Sequence, residues 1–173
     1  MEFKLLEDIA DIREAFIKRF VMSWEEFQIK QKDWIAEMAK TDYPVTAELY
    51  ERTYMWDRMD PDFPRVSMQE ALEFLKEHSG SVLFMSEKGE GIYYQGKKTI
   101  AFIAEADAHI LATRIEQEWY NPYNLAAQNT YDPNTFFPDD LYVFDLSMKW
   151  CIAFTHETTY EEEENRYCII CKI

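Results

Sequence analysis

Three runs decide the fold: Leu141-Tyr-Val-Phe144, Trp150-Cys-Ile-Ala-Phe154 and Tyr167-Cys-Ile-Ile-Cys171. Each is short, rich in β-branched and aromatic residues, and bounded by polar residues, as strands are. Asp145-Leu-Ser-Met-Lys149 between the first two has the composition of a turn, and residues 157–165 read as an acidic loop before the third. Leu141 and Val143 alternate with Tyr142 and Phe144, so both faces of that strand are apolar. A strand of this kind is covered on both sides.

Working back from this segment, Ser81-Val-Leu-Phe-Met-Ser86, Ile92-Tyr-Tyr94 and Thr99-Ile-Ala-Phe-Ile103 read as further strands, with Gln95-Gly-Lys97 as a turn. Asp107 fits as the cap of a helix with Leu111, Ile115 and Trp119 on one face. Before Gly80 the period is helical. Leu5, Ile9, Ile12, Phe16 and Phe20 recur at three and four. Ser23 with Glu26 and Ser67 with Glu70 have capping-box spacing. The first predicts a helix with Phe27, Trp34, Ile35 and Met38 on its apolar face. The second predicts one that buries Met68, Ala71, Leu72 and Leu75 and stops at Gly80. Thr46 fits a cap for a helix between them, and Asp60-Pro-Asp-Phe-Pro64 is a loop. The predicted fold is α+β, with N-terminal helices packed on a mainly antiparallel sheet. It is expected to be a single domain over residues 1–173, helical over 1–80 and sheet-rich over 81–173.

The composition is globular, with 47% apolar and 16% aromatic residues. A chain of 173 residues buries enough surface to need no disulfide or metal for its core. The net charge is −15, and residues 105–165 hold thirteen acids against two bases, Arg114 and Lys149, so they carry −11 of it. Phosphate neutralisation needs clustered Lys and Arg, so nucleic acid and anionic membrane surfaces are excluded as partners. A basic protein is the partner that the charge suits. The N-terminal stretch is acidic where a signal peptide is basic, and no run approaches the ~18 apolar residues of a membrane span. The three cysteines, all in the C-terminal strands, do not form a secreted disulfide framework. A cytoplasmic location is expected.

Cys168 and Cys171 form a C-x-x-C, but with Ile-Ile as spacer inside a strand their side chains point to opposite faces. They are read as buried thiols, with no metal and no cofactor. Four glycines and no G-x-G-x-x-G, Walker A or G-x-S-x-G leave no phosphate cradle or nucleophile elbow. No catalytic residue is assigned. The expected partner-binding residues are Trp119, Tyr120 and Tyr123 from an aromatic, Asn-rich connection, with Asp139, Asp140, Asp145, Glu161, Glu162, Glu163 and Glu164. Aromatics anchor interfaces and acids steer basic partners. The alternative is a small hydrolase or nucleotide-handling enzyme that uses His156, Glu157 and nearby aspartates.

Asp140-Leu-Tyr-Val-Phe-Asp145, then Trp150, then Phe154-Thr-His-Glu157 resembles the closing segment of small bacterial families that include immunity proteins of polymorphic toxin systems. A further similarity is to the SMI1/KNR4-like superfamily, also α+β. The resemblance implies stoichiometric neutralisation of a toxin and carries over no catalytic residue.

Overall fold

The structure, a computed structural model, describes residues 3–87, 91–94, 97–119, 140–159 and 162–173, with the backbone alone over 91–94, 97–100, 118–119, 158–159 and 162–166. The elements run β1 (Phe3–Leu5), α1 (Ala10–Phe20), α2 (Trp24–Lys30), α3 (Lys32–Met38), α4 (Ala47–Arg52), a 3-10 turn (Trp56–Arg58), β2 (Arg65–Ser67), α5 (Met68–Lys76), β3 (Ser81–Ser86), β4 (Gly91–Tyr94), β5 (Lys97–Ile100), β6 (Ile103–Asp107), α6 (Ala108–Trp119), β7 (Leu141–Asp145), β8 (Trp150–Thr159) and β9 (Glu162–Lys172). The fold is α+β. The chain forms two compact units, Ala10–Phe63 and Met1–Ile9 with Pro64–Ile173.

In the second of these units, seven strands pair in the order β1-β6-β3-β7-β8-β9-β2, every pair antiparallel, and β4 and β5 form a separate hairpin. Side-chain alternation sorts the sheet into two faces. Val82, Phe84, Ala104, Val143, Ile152 and Cys168 lie on one, in a core with Leu72 and Leu75 of α5 and Leu111 and Ile115 of α6. On the other, Leu83, Met85, Tyr142, Phe144, Cys151, Ile169 and Cys171 are equally buried. The apolar character of both faces of β7 thus corresponds to burial on both.

Local rules operate where the side chains dictate them. Both capping boxes form, with Ser23 accepting from the Glu26 amide and Ser67 from the Glu70 amide, each at 3.2 Å. Thr46 caps α4, and the Asp107 carboxylate accepts from the amides of His109 and Ile110 at 2.9 and 3.1 Å. The prediction fails where structure depends on distant partners. Leu5 belongs to β1, not to the first helix, because Phe3–Leu5 pairs with Ala104–Ala106. Arg65–Ser67, between the Asp60–Pro64 loop and the helix capped by Ser67, is the other edge strand, paired with Tyr167–Ile169. The single helix expected after Ser23 breaks at Gln31 (φ −112°, ψ 26°) into α2 and α3. Gly80 (φ 93°) does not end α5, which stops at Lys76; it turns the chain into β3. The run Thr99–Ile103 divides at Ala101, whose φ of 50° redirects the chain from the small hairpin to β6. The acidic loop expected over 157–165 is largely strand, continuing β8 and β9.

The helical unit is built around aromatic rings. Met22, Phe27 and Tyr50 form its small core, flanked by Trp24, Ile35 and Val45. The Phe27 and Tyr50 rings are 4.6 Å apart. Lys30 at the end of α2 is held by Asp60 and Asp62 at 3.0 and 2.6 Å. The Tyr50 hydroxyl donates to the Met22 carbonyl at 2.6 Å. Burial pushes its phenol up from 10.0 to about 12; Glu26 adds to the rise and Arg58 opposes it. An unfolded chain therefore releases this proton before the folded one does. The stability of the helical unit should be complete below the unfolded pKa and decline as pH rises towards the folded value. Denaturation midpoints measured from neutral pH into the alkaline range should show this decline, and Tyr50→Phe should abolish it. A variant that keeps the decline would exonerate Tyr50.

Candidate functional site

The strands β8 and β9 outrun their neighbours. Strand β7 pairs with β8 only as far as Leu141 opposite Phe154, and β2 reaches only Tyr167 on β9. Beyond those rungs β8 and β9 continue as a two-stranded ribbon, with Thr158 opposite Arg166 and Thr159 opposite Glu162. Among the described residues no third strand joins it there. The sequence of this arm includes Glu157, Glu162, Glu163 and Glu164.

Side chains clamp the base of the arm. Asp140 immediately precedes β7, where the ladder with β8 ends. Its carboxylate accepts from the His156 amide at 3.1 Å, supplying the acceptor that another rung of backbone would have provided. The same carboxylate meets Nδ1 of His156, at 3.0 Å from each oxygen. Nε2 on the far side of the ring lies 3.7 Å from the Glu157 carboxylate. Asp140 is 1% exposed and the His156 side chain 32%. Next to them, the Thr155 hydroxyl donates to the Tyr167 carbonyl at 2.5 Å. Arg65 Nε donates to the Tyr167 hydroxyl at 2.9 Å. On the same face of the sheet, the buried Tyr142 hydroxyl donates to Glu87.

The candidate residues therefore divide. Asp140, expected at a partner surface, is buried, and its carboxylate holds the arm. Asp145, likewise expected there, is committed to its own turn. It accepts from the Ser147 hydroxyl and from the amides of Ser147, Lys149 and Trp150, the last three at 3.2, 2.6 and 3.1 Å. Partial burial pushes its carboxyl up, but these hydrogen bonds, led by that of the Ser147 hydroxyl, outweigh it and hold the group below the usual range. Glu162, Glu163 and Glu164 lie in the arm, where the backbone is described. Trp119 closes α6, also as backbone, and Tyr120, Tyr123, Asp139 and Glu161 lie outside the described residues.

The enzymatic alternative rested on His156, Glu157 and nearby aspartates, and His156 contacts Asp140 and lies near Glu157. The other two histidines do not join them. His78 packs its ring 4.3 Å from that of Trp150, and His109 is exposed on α6. Cys151 and Cys171 sit opposite one another in the ladder, while Cys168 faces the α5–α6 core. All three are buried thiols. Burial raises the Cys151 thiol well above its ordinary value, and the neighbouring Cys171 adds to the rise. Among the described residues no three His, Cys, Asp or Glu side chains gather as metal ligands would, and no helix is long and apolar enough to cross a membrane.

Sequence reading missed the arm itself. Its strands carry too many charges to show an alternating pattern, and the local sign of strand is the β-branched Thr155, Thr158 and Thr159. Comparison with protein-family models, curated proteins and solved structures finds no match.

Proposed function

We propose that the protein acts by binding, its acidic arm meeting a basic surface on a partner protein. The concrete case is an immunity-type protein that neutralises a toxin by occupying it. The observation that carries this reading is the ribbon formed by β8 and β9 beyond the sheet, whose sequence includes Glu157, Glu162, Glu163 and Glu164 against one base, Arg166. A charged arm of this kind does two things. Its acids steer a basic partner and raise the encounter rate. They also guard the unpaired strand edges against pairing with another sheet.

A pull-down from the native host supplies the partner, and stopped-flow mixing supplies the test. The association rate should fall as salt rises, because the Debye length shrinks from about 10 Å at 0.1 M to about 3 Å at 1 M. Changing Glu161, Glu162, Glu163 and Glu164 to lysine should slow association by about tenfold or more at low salt, with a smaller effect on dissociation. An acidic partner, or rates indifferent to both salt and the reversals, would sink the reading.

A second reading, acid–base chemistry at His156, has one observation in its favour. A buried carboxylate on Nδ1 is how a general base is oriented. Nε2, the nitrogen that would do the work, lies 3.7 Å from the Glu157 carboxylate. The same contacts hold the arm without invoking chemistry, so the binding reading is preferred.

A further inference from the structure

The helical unit carries an apolar cleft that its own packing leaves open. Phe27, Val45 and Tyr50 line it from the small core, and Trp34, Tyr43 and Leu49 stand at its rim. Its volume is about 470 Å³, within the ~300–1,000 Å³ usual for binding pockets. The rim residues are large and apolar, yet Trp34 is 47% exposed, Leu49 50% and Tyr43 78%. Exposed Trp and Tyr around a recess are groups that anchor protein interfaces. Periodicity had placed Trp34 on a buried face. It lies instead on α3, beyond the break at Gln31, with its ring 6.2 Å from Phe27.

The charges around the cleft select among occupants. Between Trp24 and Asp57 most bases are already neutralised: Lys30 by Asp60 and Asp62, Lys40 by Glu37, and Arg52 by Glu48. Among the described residues Glu25, Asp33, Asp42 and Glu51 make no ion pair, and Lys32 is the one base in the same position. Asp57 lines the cleft itself, Asp33 and Asp42 adjoin Trp34 and Tyr43 in sequence, and the opposing base is Arg58, its guanidinium 5.6 Å from the Tyr50 ring.

We infer that this cleft docks a basic segment of a partner protein, which inserts one large aliphatic or aromatic side chain between Trp34, Tyr43 and Leu49. The inference rests on the binding reading above and adds a second contact to it. A second copy of this chain, itself strongly acidic, would bring like charge to the rim.

The test uses the full chain and three short synthetic helical peptides as probes: lysines with a leucine stripe, the same peptide with leucines changed to alanine, and the leucine stripe with glutamates in place of lysines. Amide chemical shifts locate binding, and tryptophan fluorescence measures it. The lysine–leucine peptide should shift the amides of α3, α4 and residues 43–45. It should bind at least about tenfold more tightly than either control, the discrimination that one buried anchor provides. Trp34→Ala and, independently, Leu49→Glu should each remove that advantage. Both sites are about half exposed, and unchanged far-ultraviolet circular dichroism would verify that the variants fold.

Equal binding of the glutamate peptide, or full affinity in both variants, would overturn the inference. So would self-association abolished by Trp34→Ala, since the occupant would then be a second copy. If the lysine–leucine peptide shifts only the β8–β9 arm, with a salt-dependent rate, the cleft assignment falls and the charge-steered reading stands. If it occupies the cleft at a rate indifferent to salt, the steering fails and the cleft stands.

Discussion

Asp140→Ala is expected to cost about 2 kcal/mol, the middle of the range for leaving a donor without its buried acceptor. The His156 side chain is 32% exposed, so water can take up part of what is lost. The substitution removes three acceptor contacts at once: the His156 amide at 3.1 Å and its Nδ1 at 3.0 Å from each oxygen. It leaves an amide without its partner at the point where β7 stops supporting β8. Asp140→Asn keeps an oxygen for that amide, so it should cost less, about 1 kcal/mol. The loss should also be localised. Hydrogen exchange at the amides from Thr155 to Thr159 should accelerate well before that of β3 or β7 changes. Global destabilisation with the arm still protected would show that Asp140 works elsewhere. His156→Ala with Asp140 retained should also loosen the arm, whereas an enzymatic role would show only as lost turnover.

The second large effect lies in the core. Phe84 is fully buried in β3, with the Phe3 ring 5.1 Å away and the Phe102 ring 5.6 Å away, both edge-on. Phe84→Ala should cost about 3–5 kcal/mol, the usual price of emptying an aromatic site in a packed interior. The three rings span the junction of β1, β6 and β3, so the cavity should also release β1. Phe3→Ala, at the sheet edge and 8% exposed, should cost less. Combined with Phe84→Ala it should cost less than the sum of the two, because the second change removes contacts already lost. Additive costs from a denaturation series with unchanged m-values would mean that the rings are not coupled.

How much of this was legible beforehand follows from how far apart the interacting residues lie. The capping boxes at Ser23 and Ser67 and the cap at Asp107 involve residues two or three positions apart, and all three form as read. The central strands β3, β7 and β8 are apolar on both faces and needed no knowledge of their neighbours. Strands β1 and β2 have three residues each, and only a partner elsewhere in the chain makes them strands; the helical period alone assigns Leu5 to the first helix. Asp140 and His156 were each singled out. Their pairing depends on the register that sets Leu141 opposite Phe154, which no local pattern contains. Trp34 shows the limit of periodicity, which assigns a side chain to a face of a helix and cannot say whether anything covers it.

The two edge strands have a kinetic consequence. Phe3 pairs with Ala106 and Arg65 with Ile169, so each edge closes a loop of about a hundred residues. Loop-closure entropy must be met before such contacts return anything, and topologies dominated by distant pairings fold in milliseconds to seconds. The hairpins of β7, β8 and β9 join near neighbours and can form early, as can the helices from Ala10 to Arg52. Strands β1 and β2 should therefore dock last. Substitutions within them should leave the folding rate almost unchanged and appear instead as faster unfolding.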